Sequence, residues 1–81
     1  MKYDVEIAEL ADHFVVAFKE KETRRVKKVF SLNHLGTDIL RAFMEGKSQE
    51  ALVPELAERY HAETDNMWKE VSKFYAELAE Y

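Results

Sequence analysis

Residues 24–46 read RRVKKVFSLNHLGTDILRAFMEG, and they contain the change from strand to helix on which the fold prediction depends. The segment begins basic and strand-like and ends in a helix with periodic apolar residues. Asn33 is placed to cap that helix, because its side-chain oxygen can accept a hydrogen bond from the N–H of Leu35 or Gly36. Gly36 is costly in a first helical turn unless its missing side chain lets the helix lie close to the sheet. The segment therefore predicts sheet before Asn33 and helix after it.

The residues before Asn33 predict three β-strands, because apolar and polar side chains alternate with the period of a half-buried strand. The predicted order is a strand from Tyr3, a turn at residues 10–12, a strand at 13–18, a hairpin loop at 19–25 and a strand at 26–32. In the second strand, Phe14, Val16 and Phe18 share one face. In the third strand, one face is predicted to carry Val26, Lys28, Phe30 and Leu32.

The residues after Asn33 predict three α-helices. The first spans residues 34–45 and ends at Gly46, a residue suited to the left-handed conformation of a helix C-terminus. Ser48 is predicted to cap the second helix. Pro54 lacks an N–H group, so irregular backbone is expected over residues 48–54.

The third helix is predicted to begin at a cap formed by Thr64 or Asp65. Its apolar positions follow one another at spacings of three and four residues, which places them on one face: Met67, Val71, Phe74 and Leu78. Trp68 and Tyr75 lie beside this stripe. At 81 residues the chain has the size of one domain, and the predicted class is α+β: a three-stranded antiparallel sheet followed by three helices, a winged-helix-like arrangement.

Composition argues against catalysis and against a metal or cofactor site. The chain has no cysteine, and His13, His34 and His61 lack the i,i+3 or i,i+4 spacing of paired helical ligands. Two glycines, Gly36 and Gly46, cannot form a glycine-rich phosphate loop. The sequence therefore predicts a protein that is not an enzyme, with no catalytic residue, metal or cofactor.

Charge and hydropathy limit the partners and the location. A net charge of −4 disfavours nucleic acid as the main partner, since phosphate binding depends on Lys and Arg. No run of eighteen apolar residues and no signal peptide is present, so a cytoplasmic protein without a membrane span is expected.

A basic cluster suggests a binding surface. Residues 19–28 contain six of the twelve Lys and Arg residues of the chain. One interpretation is a solvated hairpin whose edge lysines prevent unwanted strand pairing. The other is an open strand edge that accepts an extended acidic peptide by β-augmentation. Trp68 and Tyr75 are open to two similar interpretations, as core residues or as the lining of a groove.

Three motifs resemble the PqqD-like family, the precursor-peptide recognition domains of ribosomally made and post-translationally modified peptide pathways. The motifs are Leu32-Asn33-His34-Leu35-Gly36 with Ile39 and Leu40, then Leu56-Ala57-Glu58-Arg59-Tyr60, then Val71, Phe74 and Glu77-Leu78. The resemblance covers about residues 14–81 and identifies residues 1–81 as one peptide-recognition domain. Leu35 and Leu40 depart from it, because Thr and Trp are common at those positions in the family, and Ala79-Glu80-Tyr81 stands where the family usually ends in Gly-Leu.

The resemblance implies that the protein binds the leader segment of a precursor peptide as an added strand, between the third strand and the third helix. It also implies delivery of the leader to a modifying enzyme, in several systems a radical S-adenosylmethionine enzyme. The backbone of residues 25–30 would pair with the leader, and Arg25, Lys27 and Lys28 would meet its acidic residues. The strand residues so implicated are Arg25, Val26, Lys27, Lys28, Val29 and Phe30. The helix residues that would receive apolar anchors are Met67, Trp68, Val71, Ser72 and Tyr75.

Two alternatives stay open at this point. A winged-helix DNA-binding regulator would use the basic hairpin as its wing, although the third helix carries Lys69 and Lys73 among more numerous carboxylates. A homodimer could form through pairing of the edge strand with a second copy, and this could coexist with peptide binding.

Overall fold

The structure is a computed structural model that describes residues 3–81. Its elements, in chain order, are β1 Tyr3–Leu10, β2 His13–Glu20, β3 Val26–Leu32, α1 His34–Met44, α2 Gln49–Arg59 and α3 Thr64–Leu78. The predicted α+β class, with a three-stranded antiparallel sheet followed by three helices, is therefore confirmed. The chain forms two compact units, one running up to Thr37 and including Tyr81, the other covering residues 38–80. That the whole chain acts as one domain stays a prediction.

The sheet has the order β1-β2-β3, and both pairs of neighbouring strands are antiparallel. Ala11 and Asp12 form a two-residue turn between β1 and β2, and Leu10 pairs with His13 across it. Leu10 therefore belongs to the strand rather than to the predicted turn. One face of β2 carries the buried residues of the sheet, and these are the three predicted: Phe14, Val16 and Phe18.

A β-bulge interrupts the pairing of β2 with β3. Phe18 lies opposite Lys28 and Lys19 lies opposite Val26, so Lys27 has no residue opposite it. The extra residue moves Val26 to the face of Lys19, because side chains alternate between faces along a strand. The prediction that Val26 shares a face with Lys28 and Phe30 is therefore wrong.

The loop between β2 and β3 is shorter than predicted. It covers residues 21–25, because Lys19 and Glu20 continue β2. Glu20 is held by its backbone: its N–H donates to the carbonyl of Arg25 at 2.8 Å, and its carbonyl accepts from the N–H of Arg24 at 2.9 Å. Polar composition alone did not reveal this extension, since main-chain hydrogen bonds form irrespective of the side chain.

The junction of strand and helix has the predicted cap. The Oδ1 atom of Asn33 accepts a hydrogen bond from the N–H of Gly36 at 2.8 Å, and the hydroxyl of Thr37 donates to the Asn33 carbonyl at 2.9 Å. A Cβ atom added to Gly36 would lie 3.1 Å from Cδ2 of Leu32, which is tighter than ordinary van der Waals contact. Glycine at this position therefore permits close approach of the first turn of α1 to the end of β3.

Capping also fixes the end of α1 and the start of α2. Gly46 has a φ of 79°, its N–H donates to the carbonyl of Phe43 at 3.1 Å, and the N–H of Lys47 donates to the carbonyl of Ala42 at 3.0 Å. These two bonds form a Schellman motif. Ser48 caps α2 by accepting from the N–H of Ala51 at 3.2 Å, as predicted.

Pro54 does not disturb α2 in the way expected. The helix begins at Gln49, directly after its cap, and continues without a break to Arg59. Pro54 lies in the middle of this 11-residue helix, where it removes one hydrogen-bond donor at an exposed position. The opposite face of α2 is buried through four apolar residues, which outweighs that loss: Leu52, Val53, Leu56 and Ala57.

The start of α3 differs from the prediction, because Glu63 occupies the N-cap position and makes no side-chain capping bond. Thr64 and Asp65 lie inside the first turn, where the carboxylate of Asp65 interacts favourably with the helix dipole. The apolar stripe is largely as predicted, with Met67, Val71 and Leu78 buried. None of the helices in residues 3–81 combines the length and the apolar character needed to cross a bilayer.

We expect Asn33→Ala to lower the free energy of unfolding by about 1 kcal/mol, because the N–H of Gly36 loses its acceptor. Asn33→Asp is the matched control, since aspartate caps equally well and adds a favourable charge at the helix N-terminus. Urea denaturation followed by circular dichroism measures both. Equal destabilisation by the two substitutions would contradict the capping role.

Candidate functional site

The outer border of β3 is the first part of the candidate site. β3 pairs with β2 on one side, and within residues 3–81 no strand pairs with its other side. An edge strand of this kind directs backbone N–H and C=O groups away from the sheet.

The hydrogen-bonding phase of the sheet shows which groups of β3 point outward. Because a two-residue turn joins β1 to β2, Leu10 and His13 form a hydrogen-bonded pair. Along β2 the N–H and C=O groups of successive residues then point alternately to β1 and to β3. The hydrogen bond from the Glu20 N–H to the Arg25 carbonyl shows that the even-numbered residues of β2 direct their backbone N–H and C=O groups toward β3. Their partners on β3 are Lys28, Phe30 and Leu32. The N–H and C=O groups of Val29 and Ser31 consequently face the open border.

Two of the six clustered cations are neutralised by β1. The ammonium of Lys19 lies 2.9 Å from a carboxylate oxygen of Glu6, and the guanidinium of Arg24 pairs with Asp4 and lies 3.9 Å from Glu6. The hydrogen bond from Lys19 holds the pKa of Glu6 below its usual value. Because Lys19 and Arg24 are paired with carboxylates of β1, they are less available to an acidic ligand than the basic cluster in the sequence suggested.

The other cations lie near the start of β3. Lys21, Arg25 and Lys27 are exposed and form no ion pair with any of residues 3–81. Lys28 is held differently, with its ammonium 5.9 Å from the ring centroid of Phe30 and 5.7 Å from that of Tyr81. Such cation–π contacts fix the position of the charge at this end of the strand.

The exposed face of β3 is apolar at two positions. Val26 and Val29 are 53% and 56% exposed, an unusual degree for valine. Val29 lies opposite Ala17 and Ser31 lies opposite Val15, so small and β-branched side chains continue across this face. A strand added at the open border would extend the same face.

The α3 residues implicated by the family resemblance differ in accessibility. Met67 and Val71 are buried. Ser72 accepts a hydrogen bond from Nε2 of Gln49, and the hydroxyl of Tyr75 donates to the carbonyl of Lys47 at 2.8 Å. Burial raises the pKa of Tyr75 above its ordinary value. Ser72 thus contacts the first residue of α2, and Tyr75 contacts the segment just before it.

Trp68 is the accessible aromatic residue of α3. Its side chain is 42% exposed, whereas the ring of Tyr75 packs edge-on against Phe43 with centroids 5.1 Å apart. A large exposed aromatic residue of this kind is characteristic of interaction surfaces. The structure therefore distinguishes Trp68 from Tyr75, although the sequence gave both the same two interpretations.

A polar network that the sequence did not reveal joins α1 to α2. Asp38 accepts hydrogen bonds from the hydroxyl of Tyr60 at 2.5 Å and from Arg59 at 3.1 Å. Glu55 continues the network, lying 3.6 Å from Arg59 and 2.7 Å from the ammonium of Lys47. Only the i,i+4 pair of Glu55 with Arg59 could have been inferred from spacing. Residues 3–81 contain no group of three His, Cys, Asp or Glu side chains arranged to hold a metal ion.

Comparison with known proteins identifies the family. The sequence model for "Coenzyme PQQ synthesis protein D (PqqD)" matches residues 14–81, most of the chain. The chain belongs to the PqqD family. No curated protein and no solved structure matches it. The PqqD match begins within β2 and includes β3 and all three helices, so it covers both the open border of β3 and Trp68.

We expect Tyr60→Phe to lower the free energy of unfolding by about 1 kcal/mol at pH 8, because the hydrogen bond to the Asp38 carboxylate is lost. Burial, and then the hydrogen bond to Asp38, raises the pKa of Tyr60 to about 12. The folded state therefore keeps a proton that the unfolded state loses above pH 10, so the stabilisation is full below pH 10 and is lost as the pH rises through 12.

Urea denaturation of the wild type and of Tyr60→Phe at several pH values between 8 and 12 measures this effect. The difference in the free energy of unfolding between the two proteins should shrink as the pH rises. A constant difference over the whole range would contradict the role assigned to the Tyr60 hydroxyl.

Proposed function

We propose that this protein is a non-catalytic carrier that binds the leader segment of a ribosomally made precursor peptide and presents it to a maturation enzyme. The leader adds to the sheet as a fourth strand on β3. The single observation that carries the proposal is the open border of β3, toward which the N–H and C=O groups of Val29 and Ser31 point.

An unpaired strand edge is a hazard that proteins normally cover or protect with charge. In β3 the charged side chains lie at the first residues of the strand, while Val29 in its middle is more than half exposed. An edge that is apolar and accessible in its centre suits a bound peptide better than it suits solvent. This distribution favours β-augmentation over the interpretation of a purely protective basic hairpin.

The charge near β3 favours an acidic ligand. Arg25 and Lys27 are exposed beside the open border and have no ion-pair partner in residues 3–81. In a protein of net charge −4, this local excess of positive charge steers acidic peptides to the edge and repels basic ones.

The family gives this binding a biosynthetic purpose. The matching family is described by its part in the synthesis of coenzyme PQQ. We infer that this chain likewise serves a peptide-maturation pathway, with a modifying enzyme of the radical S-adenosylmethionine class as its partner. A carrier that holds the leader raises the effective concentration of the precursor at the enzyme, so the enzyme need not recognise the leader itself.

Titration of the ¹⁵N-labelled protein with the leader of a precursor encoded beside its gene tests the proposal. We expect amide shifts concentrated in β3, and we expect the double substitution Lys27→Pro with Val29→Pro to abolish binding while the helical circular dichroism signal is retained. Unchanged affinity in the double variant would exclude strand addition on β3.

We expect Arg25→Glu with Lys27→Glu to weaken binding of an acidic leader about tenfold at low salt and to flatten its salt dependence. Lys69→Glu with Lys73→Glu is the matched control, because it changes the net charge equally on exposed positions of α3. Fluorescence anisotropy at several salt concentrations measures both. Equal loss in the two variants would show that net charge, rather than the position of these cations, governs binding.

A further inference from the structure

The β-bulge at Lys27 divides the edge to which the peptide is assigned. Lys27 has no residue opposite it on β2, and the pairing of Phe18 with Lys28 changes there to the pairing of Lys19 with Val26. A bulge bends its strand, increases the local twist and ends regular pairing with a further strand. Residues 25–27 are therefore poorly shaped to continue a ladder with a ligand.

Regular strand follows the bulge from Lys28 to Leu32. Within this part of β3, Val29 and Ser31 present their N–H and C=O groups to the open border, which offers about four hydrogen bonds to an added strand. The ladder for a ligand is consequently short and has a defined end. The bulge thus fixes where on β3 the ladder ends, and the side chains of the ligand then decide which of its residues pair with Val29 and Ser31.

The side chains around this short ladder indicate what the ligand carries. Ligand residues that pair with Val29 and Ser31 would have their side chains on the exposed face of the sheet. On the same face, β2 places Ala17 beside Val29 and Val15 beside Ser31. β-Branched side chains pack well on such a pleated, half-exposed surface. Valine, isoleucine or threonine is therefore favoured at these alternate positions of the ligand.

Two of the cations, Arg25 and Lys27, lie beyond the end of the ladder rather than along it. Arg25 precedes the bulge and Lys27 forms it, and both are exposed. Antiparallel pairing is the more stable arrangement and is the one used throughout this sheet. An antiparallel ligand reaches the bulge with its C-terminal end, so its acidic residues belong on the C-terminal side of the paired segment.

We propose that the bulge sets the register and the sequence class of the ligand. The ligand is an extended segment of about five residues with β-branched residues at the positions that pair with Val29 and Ser31, followed on its C-terminal side by acidic residues that meet Arg25 and Lys27. This inference rests on the proposed function, because it presupposes strand addition on β3. It assigns pairing to residues 28–32 and charge recognition to residues 25–27.

Two synthetic peptides of identical composition test the order of the ligand. One has five alternating threonine and valine residues followed by three aspartates, and the other has the three aspartates first. We expect the first to bind the wild type about tenfold more tightly, with amide shifts at residues 28–32. Equal affinity, or tighter binding of the second peptide, would overturn the inference.

Two proline variants test the position of the ladder. Val29→Pro removes an outward N–H without breaking a bond to β2, and we expect it to weaken binding of the first peptide at least about tenfold relative to Val29→Thr. Lys27→Pro should bind as Lys27→Ala does, because the bulge contributes charge and no pairing. Circular dichroism verifies that each variant is folded.

The possible failures are distinguishable. If Lys27→Pro weakens binding as much as Val29→Pro does, strand addition holds but the register set by the bulge is wrong. If a peptide binds the wild type without amide shifts in β3, and Val29→Pro binds it unchanged, strand addition itself is wrong, and the proposed function fails together with the inference.

Discussion

The other features depend on the hydrogen-bonding phase of the sheet, that is, on which residues of each strand direct their backbone N–H and C=O groups toward which neighbour. The two-residue turn at Ala11 and Asp12 makes Leu10 and His13 a bonded pair, and antiparallel geometry then propagates this choice through β2 to β3. A shift by one residue would exchange the two faces of each strand and would turn the backbone groups of Phe30, rather than those of Val29, toward the border. Burial of one face of β2 stabilises the observed pairing, because a shift by one residue would expose Phe14, Val16 and Phe18.

The features predicted correctly from the sequence are those encoded locally. Apolar alternation located the three strands. The capping residues Asn33, Ser48 and Gly46 each bond to a residue three positions away in the sequence. The bulge has no such signature, because Val26 and Lys27 are ordinary strand residues and only the pairing with β2 distinguishes them. Pro54 illustrates the reverse case, in which a strong local signal was outweighed by burial of the opposite helix face.

The candidate site was harder to predict than the fold. Helical spacing offered the same two interpretations for Trp68 and Tyr75, but the bond from Tyr75 to Lys47 joins residues far apart in the sequence, and Trp68 is the more exposed of the two. The basic cluster likewise looked uniform, although Arg24 and Lys19 are bound to the carboxylates of Asp4 and Glu6. Whether a charge is available depends on pairing between strands, and residue composition does not contain that information.

The proposed recognition through the outward main-chain groups of Val29 and Ser31 would have an evolutionary consequence. Every residue except proline has the same main-chain N–H and C=O groups, so most substitutions on β3 or on the proposed ligand would leave these hydrogen bonds in place. A carrier and a precursor that recognise each other in this way could diverge independently and still bind, provided that the alternation of residues and the placement of charge persist. Matched pairs in different genomes are then expected to share a pattern of residue classes rather than conserved letters.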